Sequence, residues 1–321
     1  MEKHFLAWWN VENLFDEKGA PIERRPEELK RKIIADLSDW TADILNKKIQ
    51  NLSWVISQMN SNKGPDILGV CEIENKYVLE LLIQNLTLPE RNYGIIHSDS
   101  PDNRGIDVAF IYDKQKYKFN DKEFFEHPIV KRYATREIIQ ATLTTMQGNE
   151  IVLVGNHWPS RSSGQYESEP FRIIAGETLS YFIERIQAIK GDDAAIVVMG
   201  DFNDEPFNRS LTDYALSVRS RNKVVLGRSP YLYNLMWQLI GKGISSYVYD
   251  GFHLMIDQFM VSKGIANKSG KYEIKEENVH VEIFEKMISG RYNTPIRFGQ
   301  KKPNLSGFSD HLPISFILGE K

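Results

Sequence analysis

Four short apolar runs in this chain each stop abruptly at a polar side chain, and this pattern constrains the fold more than any other feature. Asn10 follows "FLAWW", Glu72 follows "ILGVC", His157 follows "IVLVGN" and Asp201 follows "IVVMG". Apolar runs of this length, bounded by turn-forming residues, are typical of buried strands. We therefore expect four strands that each end in a polar group.

Two further apolar runs carry their polar residues at the start. Asp257 precedes "QFMV", and the pair Asp310 and His311 precedes "LPISFIL". If these two strands run opposite to the first four, all of these polar groups gather at one edge. A site assembled from the whole length of the chain indicates a single domain, residues 1–321.

Helical patterns alternate with the strand-like runs. Apolar residues recur at helical spacing from Thr41 to Met59, and a second amphipathic segment runs from Phe171 to Lys190 and stops at Gly191. The runs "REIIQATLTTM" and "EIVLVGNHW" are separated by a short "QGN" turn that predicts a hairpin. Many strands in two groups, with long helices between them, predict an α/β fold of two packed sheets flanked by helices.

Composition limits the functional classes. The chain has 321 residues, of which 41% are hydrophobic and 26% charged, so it contains ample material for a sizeable core. A net charge of -3 and a pI near 6.2 argue against a protein that holds nucleic acid mainly by bulk electrostatics, but allow an enzyme that contacts a few phosphates. The single cysteine, Cys71, excludes an intrachain disulfide framework and a multi-cysteine zinc site.

The N-terminal segment has only five consecutive apolar residues before Asn10. This is too short for the core of a signal peptide or for a membrane span. We expect no membrane span and favour a cytoplasmic location, while export of a longer precursor remains the alternative. The sequence indicates no protein partner.

Asp257 lies among apolar residues and needs a partner if it is buried. Burying a carboxylate costs several kcal/mol unless the charge is paired or coordinated. Asp257 and Asp201 are both candidates to orient the imidazole of His311. A separate oxygen-rich set consists of Asn10, Glu72 and Asp310, which Asp201 could join, and oxygen donors suit Mg²⁺ or Mn²⁺ rather than zinc.

Six motifs, in order, resemble those of the endonuclease/exonuclease/phosphatase superfamily, whose fold is deoxyribonuclease-I-like. They are "WNVENLF", "CEIEN", "NHWPSR", "GDFND", "MIDQFMVS" and "GFSDHLP", and they extend from residue 10 to residue 313. The resemblance implies a four-layer α/β sandwich with two mixed sheets, and a Mg²⁺-dependent phosphoesterase. It makes Glu72 the principal metal ligand, with Asn10 and Asp310 beside it.

The same resemblance implies roles for the remaining polar residues. Asp201 and Asn203 would face the scissile phosphate and the attacking water, and Asp257 would orient His311. His157 matches the second catalytic histidine of deoxyribonuclease-like and sphingomyelinase-like members. Abasic-site endonucleases usually have a tyrosine at that position, which argues against an abasic-site repair role.

The residue types also suit phosphodiester hydrolysis on chemical grounds. That reaction needs charge neutralised on the phosphoryl oxygens, a water deprotonated and a poor leaving group protonated. His311 or Asp201 could activate the water, and His157 could donate the proton. We predict a phosphodiester hydrolase, with a nuclease acting on DNA or RNA as the leading reading. The alternatives are phosphoinositide, sphingomyelin or nucleotide substrates, or a catalytically inactive binding module.

Other polar residues allow two readings each. Arg161 and Arg172 could bind substrate phosphate through bidentate contacts, or could be solvated surface residues. Asp107 could bond a catalytic histidine, or form a salt bridge with Arg104 or a neighbour. The aromatic and basic residues between Arg219 and Phe252 could stack bases and contact phosphates, or belong to the core.

Overall fold

The computed structural model describes residues 1–25, 37–102, 104–130, 135–162, 164–290 and 293–321. The strands are β1 (Glu2–Leu14), β2 (Ile67–Ile73), β3 (Tyr93–His97), β4 (Asp107–Asp113), β5 (Tyr117–His127), β6 (Ile138–Thr145), β7 (Glu150–His157), β8 (Ile196–Asp201), β9 (Ser217–Val218), β10 (Leu232–Asn234), β11 (Tyr247–Tyr249), β12 (Phe252–Leu254), β13 (Asp257–Val261), β14 (Tyr272–Val281), β15 (Ile288–Ser289), β16 (Thr294–Pro295) and β17 (Ile314–Glu320).

The α-helices are α1 (Ala42–Asn62), α2 (Lys76–Gln84), α3 (Gln165–Lys190), α4 (Arg221–Leu226), α5 (Trp237–Ile240) and α6 (Lys263–Ala266). A π-helical turn covers Ser210–Tyr214 and a 3₁₀ turn covers Glu285–Met287. Thr41 caps α1 by accepting a hydrogen bond from the amide of Ile44. Among the described residues, no helix is both long enough and apolar enough to cross a bilayer.

The strands form two large sheets and two short hairpins. The first sheet has the order β14-β17-β1-β2-β4-β3, and the second has the order β5-β6-β7-β8-β13-β10-β9. Strands β1 and β2 are parallel, as are β7 and β8, whereas β17 runs antiparallel to β1 and β13 antiparallel to β8. The reversed direction predicted for the last two strands is therefore confirmed. It brings the ends of four strands and the starts of the other two to one edge.

The fold has four layers, which are α1 with α2, the first sheet, the second sheet and α3. An apolar cluster lies between each pair of neighbouring layers. Trp8 and Phe259 belong to the cluster between the two sheets, whereas Trp9 belongs to the cluster beneath α1 and α2. Trp8 and Trp9 are both fully buried because successive side chains of β1 point to opposite faces and both faces are covered. A third cluster packs α3 against the outer face of the second sheet. The predicted α/β sandwich of two mixed sheets with flanking helices is confirmed.

Close contact between the sheets depends on Gly69 in β2. A Cβ atom at this position would lie 2.6 Å from Sδ of Met199 and 2.6 Å from the ring of Trp8. Such a distance is below any normal carbon contact, so a larger residue here would push the two sheets apart. The glycine thus lets the sheets pack tightly close to the edge that carries the polar groups.

Candidate active site

The register of the second sheet places three of the predicted site residues side by side. His157, the last residue of β7, pairs with Asp201, the last residue of β8. Asp201 in turn pairs with Asp257, the first residue of β13. Because neighbouring strands lie less than about 5 Å apart, these side chains are fixed at close range by the backbone ladder itself.

Asp201, at the end of β8 in the second sheet, contacts residues that belong to the first sheet as well. Its Oδ2 atom accepts a hydrogen bond from Nδ2 of Asn10 at 3.0 Å. The same oxygen lies 3.8 Å from Nε2 of His157 and 3.8 Å from Nε2 of His311. Burial raises the pKa of Asp201 to about 7, although the nearby charge of His311 opposes that shift. Oδ2 of Asp201 therefore accepts a hydrogen bond from one amide group and lies close to two imidazoles.

His311 is held by a buried carboxylate. Its Nδ1 lies 2.7 Å from Oδ2 of Asp257, and the same oxygen accepts from Oγ of Ser246 at 2.7 Å. The other oxygen, Oδ1, accepts from Nε1 of Trp8 at 3.1 Å. Burial alone would lower the pKa of His311, but the charges of Asp257 and Asp201 outweigh it and raise this pKa well above its ordinary value. The structure thus gives Asp257 the partner that its burial requires.

Trp8 and Ser246 were not among the predicted site residues. Trp8 lies two positions before Asn10 in β1, and the two-residue repeat of a strand could have placed both side chains on one face. Ser246 belongs to a loop before β11, and no sequence pattern marks it. Tyr247 beside it stacks on His311, with ring centroids 4.5 Å apart.

Glu72 and Asn203 adopt backbone conformations that few side chains favour. Glu72 has a φ of 64° at an irregularity in β2, and Asn203 has a φ of 50° just after β8. Oε2 of Glu72 accepts from the amide of Asn13 at 3.0 Å, and Oε1 lies 3.8 Å from Nε2 of His157. Asn203 donates its amide to Oδ1 of Asp201 at 2.9 Å. Left-handed backbone at such positions is a common feature of functional sites.

His157 differs electrostatically from His311. Burial lowers its pKa well below the ordinary value, and the positive charge of Arg136 adds to the effect. Its Nδ1 atom has no hydrogen-bond partner among the described residues. The two histidines therefore favour opposite protonation states, with His157 neutral and His311 charged.

The oxygen donors at this edge fit a divalent metal ion. Among the described residues, Asp201, Asp257 and His311 have ligand-type atoms within 4.8 Å of one another. Asp257 already accepts hydrogen bonds from three donors. Asp201, Asp257 and His311 therefore form a hydrogen-bonded chain rather than a set of metal ligands. Glu72 and Asp310 keep partly exposed carboxylates, with side-chain exposures of 12% and 20%. Together with the Oδ1 atom of Asn10, they form an all-oxygen set that suits a hard cation.

Asp310 lies at the outer side of this group. Its Oδ1 atom is 4.0 Å from Nε2 of His311. Burial raises the pKa of Asp310 to about 6, and the charges of Glu12 and Glu72 act in the same direction. Several carboxylates close together raise one another's pKa, and a bound cation relieves this repulsion.

The two arginines predicted to bind substrate have different surroundings. Arg161 donates through Nε to the carbonyl of Asn203 at 2.6 Å and through Nη2 to Asp204 at 3.0 Å, so it braces the loop that carries Asn203. Arg172 is fully buried and pairs through Nε with Asp204 at 2.8 Å. The structure does not bring Arg172 to the cleft, because α3 directs it into the interior. The binding role of Arg161 stays a prediction.

Asp107 pairs with a histidine, but with His97 rather than with His157 or His311. Its Oδ2 lies 3.1 Å from Nε2 of His97, and its Oδ1 accepts from the amide of Ser100 at 2.9 Å. The pairing of β3 with β4 places His97 beside it, and that pairing was not visible in the sequence.

The aromatic segment between Arg219 and Phe252 is mixed in character. Lys223 lies 4.4 Å from the ring centroid of Tyr231 and Arg221 lies 5.4 Å from that of Tyr233, so these cations are paired within the protein. Tyr249 and Phe252 at the tip of the β11–β12 hairpin are instead exposed. A binding role for the segment stays a prediction.

Solved structures with the same architecture cover nearly all of this chain. The human Nocturnin catalytic domain with a bound sulfate anion is 18% identical, covers 99% of this chain and 95% of that chain, and has a TM-score of 0.53. Truncated Caenorhabditis elegans TDP2 is 13% identical, with coverages of 99% and 98% and a TM-score of 0.57. An endonuclease/exonuclease/phosphatase from Bacteroides vulgatus is 14% identical, with coverages of 100% and 100% and a TM-score of 0.58. At these identities the likeness shows the fold alone.

Sequence comparison supplies the family. No curated protein matches this chain. A family model described as "Endonuclease/Exonuclease/phosphatase family" matches residues 5–320, which is nearly the whole chain. Enzymes of this kind hydrolyse phosphodiesters and generally use divalent metal ions. The resemblance carried by the six motifs is thus confirmed, and the chain belongs to the Endonuclease/Exonuclease/phosphatase family.

Proposed function

We propose that this protein is a divalent-metal-dependent phosphodiester hydrolase that acts on nucleic acid, with residues 1–321 as one catalytic domain. The observation that carries the proposal is the position of Asp201. One oxygen of this carboxylate lies 3.8 Å from Nε2 of His157 and 3.8 Å from Nε2 of His311. A buried carboxylate next to two imidazoles places three groups that can transfer protons in one small volume.

The residues divide the proton transfers between them. Asp201, whose pKa burial raises to about 7, or His311, held by Asp257, would accept the proton of the attacking water. Because its own pKa is raised, His311 would first have to lose its proton to act in this way. His157 would pass a proton to the leaving oxygen after receiving one at Nε2. Asn203, fixed by its bonds to Asp201 and to the carbonyl of Trp158, would contact the phosphate.

Asn10, Glu72 and Asp310 would hold the metal ion. The ion would be Mg²⁺ or Mn²⁺, because the three donors are oxygen atoms and none is a thiolate. When bound, it supplies positive charge to the phosphoryl oxygens. Without it, these carboxylates lie close enough together for mutual repulsion to contribute to the raised pKa of Asp310.

Nucleic acid is the substrate class that we favour, while phosphoinositide, sphingomyelin and nucleotide esters are the rivals. Arg104 lies at the edge of the site, with Nη1 at 3.7 Å from Glu72 and Nη2 bonded to Asn13, and it is half-exposed. A cation at the rim suits a substrate with several phosphates. A catalytically inactive binding module is disfavoured, because every residue that the chemistry requires is present.

A substrate panel tests the proposal. Plasmid DNA, single-stranded RNA, inositol phosphates and sphingomyelin are each incubated with Mg²⁺ and, separately, with EDTA. We expect turnover of nucleic acid with Mg²⁺ and none with EDTA. Turnover of a lipid or inositol substrate alone would move the substrate class to a rival, and no turnover at all would favour the binding module.

A single substitution tests the metal site. Glu72→Gln removes one negative charge while retaining an acceptor for the amide of Asn13, so the fold should survive. We expect calorimetric titration to show Mg²⁺ affinity lowered by roughly tenfold or more. Equal affinity in the two proteins would remove Glu72 from the site.

A further inference from the structure

Arg297 is a solvent-accessible cation fixed beside the candidate metal ligands, and neither the family motifs nor the proposed chemistry gives it a role. Its Nε atom donates to Oε1 of Glu12 at 2.8 Å, and its Nη2 atom lies 3.4 Å from Oδ2 of Asp310. The side chain is 64% exposed. The guanidinium therefore has one edge held by the protein and much of its remaining surface open to solvent.

Glu12 is specialised for holding this arginine. It is buried, it has a φ of 51°, and it accepts hydrogen bonds from Nε of Arg297 and from the amides of Phe298 and Gly299. Three donors around one buried carboxylate hold it in a fixed orientation. Phe298 is itself buried against Trp40, with ring centroids 5.8 Å apart. The backbone and the Nε edge of Arg297 are thus fixed before any ligand arrives.

A cation in this position is not explained by metal binding. Its positive charge next to Asp310 would oppose a divalent ion rather than help to hold it. A half-exposed ion pair also contributes little to stability. A guanidinium with free donors, pre-oriented at the rim of an anionic site, instead matches the fork geometry of a phosphate group.

We propose that Arg297 binds the phosphate next to the scissile one in a nucleic acid strand, and that Glu12 is the positioning residue for it. The inference rests on the proposed function and adds a subsite to it. The contact of Arg297 with Asp310, the proposed metal ligand at the outer side of the group, favours a neighbouring phosphate over the reacting one. The substrate class is therefore a strand with at least two consecutive phosphodiesters.

Binding without turnover gives the first test. Fluorescence anisotropy of a labelled single-stranded oligonucleotide is measured in EDTA over a range of salt concentrations, for the wild type, Arg297→Gln and the control Arg185→Gln. Arg185 is an exposed arginine on α3, far from the site in the fold. Loss of one phosphate contact should reduce the slope of log K against log salt by about 0.7. The control should keep the wild-type slope.

Selective neutralisation of one phosphate gives the second test. With Mg²⁺, an oligonucleotide of at least three nucleotides that carries a methylphosphonate at the linkage next to the cleaved one should lose about tenfold in kcat/KM with the wild type. With Arg297→Gln the same modification should cost little, because the contact is already gone. Bis-nitrophenyl phosphate has no second phosphate, so both proteins should hydrolyse it at similar rates.

The outcomes separate the subsite from the proposed function. If Arg297→Gln and the wild type show the same turnover on every substrate and the same salt slope, the subsite alone is overturned. Equal loss on the oligonucleotide and on bis-nitrophenyl phosphate would also overturn it, since Arg297 would then act at the reacting phosphate. Absence of both binding and turnover in the wild type would overturn the subsite together with the nucleic acid assignment.

Glu12→Gln should raise KM for the oligonucleotide more than it lowers kcat.

Discussion

Nδ1 of His311 and Oδ2 of Asp257 lie 2.7 Å apart, and both side chains are buried. The bond fixes the ring orientation and directs Nε2 towards Asp201. Because Asp257 also accepts from Trp8 and Ser246, its carboxylate cannot rotate away. These hydrogen bonds therefore hold the imidazole in one defined orientation.

Replacing the carboxylate of Asp257 should damage catalysis more than folding. Asp257→Asn preserves the size of the side chain but removes the charge that stabilises the protonated imidazole. We expect kcat to fall by roughly 10² to 10⁴, as when general acid–base catalysis is lost, and the denaturation midpoint to fall by less than this loss would suggest, because the amide oxygen can still accept from part of the three donors. Steady-state kinetics and urea denaturation measure the two effects. The exposed control Asp213→Asn should leave both unchanged, and an active Asp257→Asn enzyme would contradict the assigned role.

Arg172 should prove to be a structural residue. It is buried, pairs with Asp204 at 2.8 Å and donates to Oγ of Ser168 at 2.6 Å. Arg172→Met would leave the carboxylate without this partner, and breaking a buried pair typically costs about 3–5 kcal/mol. Urea denaturation should show this loss, while KM of the folded enzyme should stay near the wild-type value. A stable variant with a raised KM would instead restore the substrate-binding interpretation. Arg185→Met is the exposed control.

Much of the architecture could be predicted because it follows from apolar patterning. The run before Asp201 ends where β8 ends, whereas β1 continues past Asn10 to Leu14. The strand that begins at Asp257 is antiparallel to β8, as predicted from the position of its polar residue. Burial also dictated that Asp257 must have a partner. These conclusions depend on whether each side chain is apolar or polar, and the sequence shows this directly.

The unpredicted contacts depend on three-dimensional proximity between distant segments. Arg161 and Arg172 are the same residue type, but Arg161 lies in the loop before α3, whereas α3 directs Arg172 into the interior. Asp107 meets His97 only because β3 pairs with β4. Ser246 meets Asp257 through a loop that has no periodicity. Sequence patterns indicate which face of an element is buried, but not which side chain from another element faces it.

Lys48 should make stability depend on alkaline pH. Its ammonium is buried and donates to the carbonyl of Phe308 at 2.6 Å, and burial lowers the pKa of Lys48 from 10.5 to about 8. Between pH 8 and 10.5 the unfolded chain holds this proton and the folded chain has released it, so stability rises with pH. The difference between the two pKa values corresponds to a gain in stability of about 3 kcal/mol at most. Below pH 8 both states are protonated, so Lys48 does not make stability depend on pH there.

Urea denaturation in EDTA at pH 7, 8, 9 and 10 measures the effect of Lys48. The free energy of unfolding of the wild type should rise relative to that of Lys48→Met across the upper part of this range. Lys47→Met, on the same helix, is the matched control and should follow the wild type. Parallel curves for the wild type and Lys48→Met would show that the buried amine does not titrate differently in the two states.

The two histidines can be separated by the chemistry of the leaving group. A natural ester expels an alkoxide that needs a proton, whereas a nitrophenyl ester expels an anion that is stable by itself. General-acid catalysis is worth roughly 10² to 10⁴ in rate for the former and much less for the latter. His157→Ala should therefore cripple hydrolysis of the natural diester and spare much of the activity on bis-nitrophenyl phosphate. His311→Ala, which removes water activation or phosphate stabilisation, should impair both. Equal impairment of His157→Ala on the two substrates would leave His157 as a phosphate-binding or structural residue.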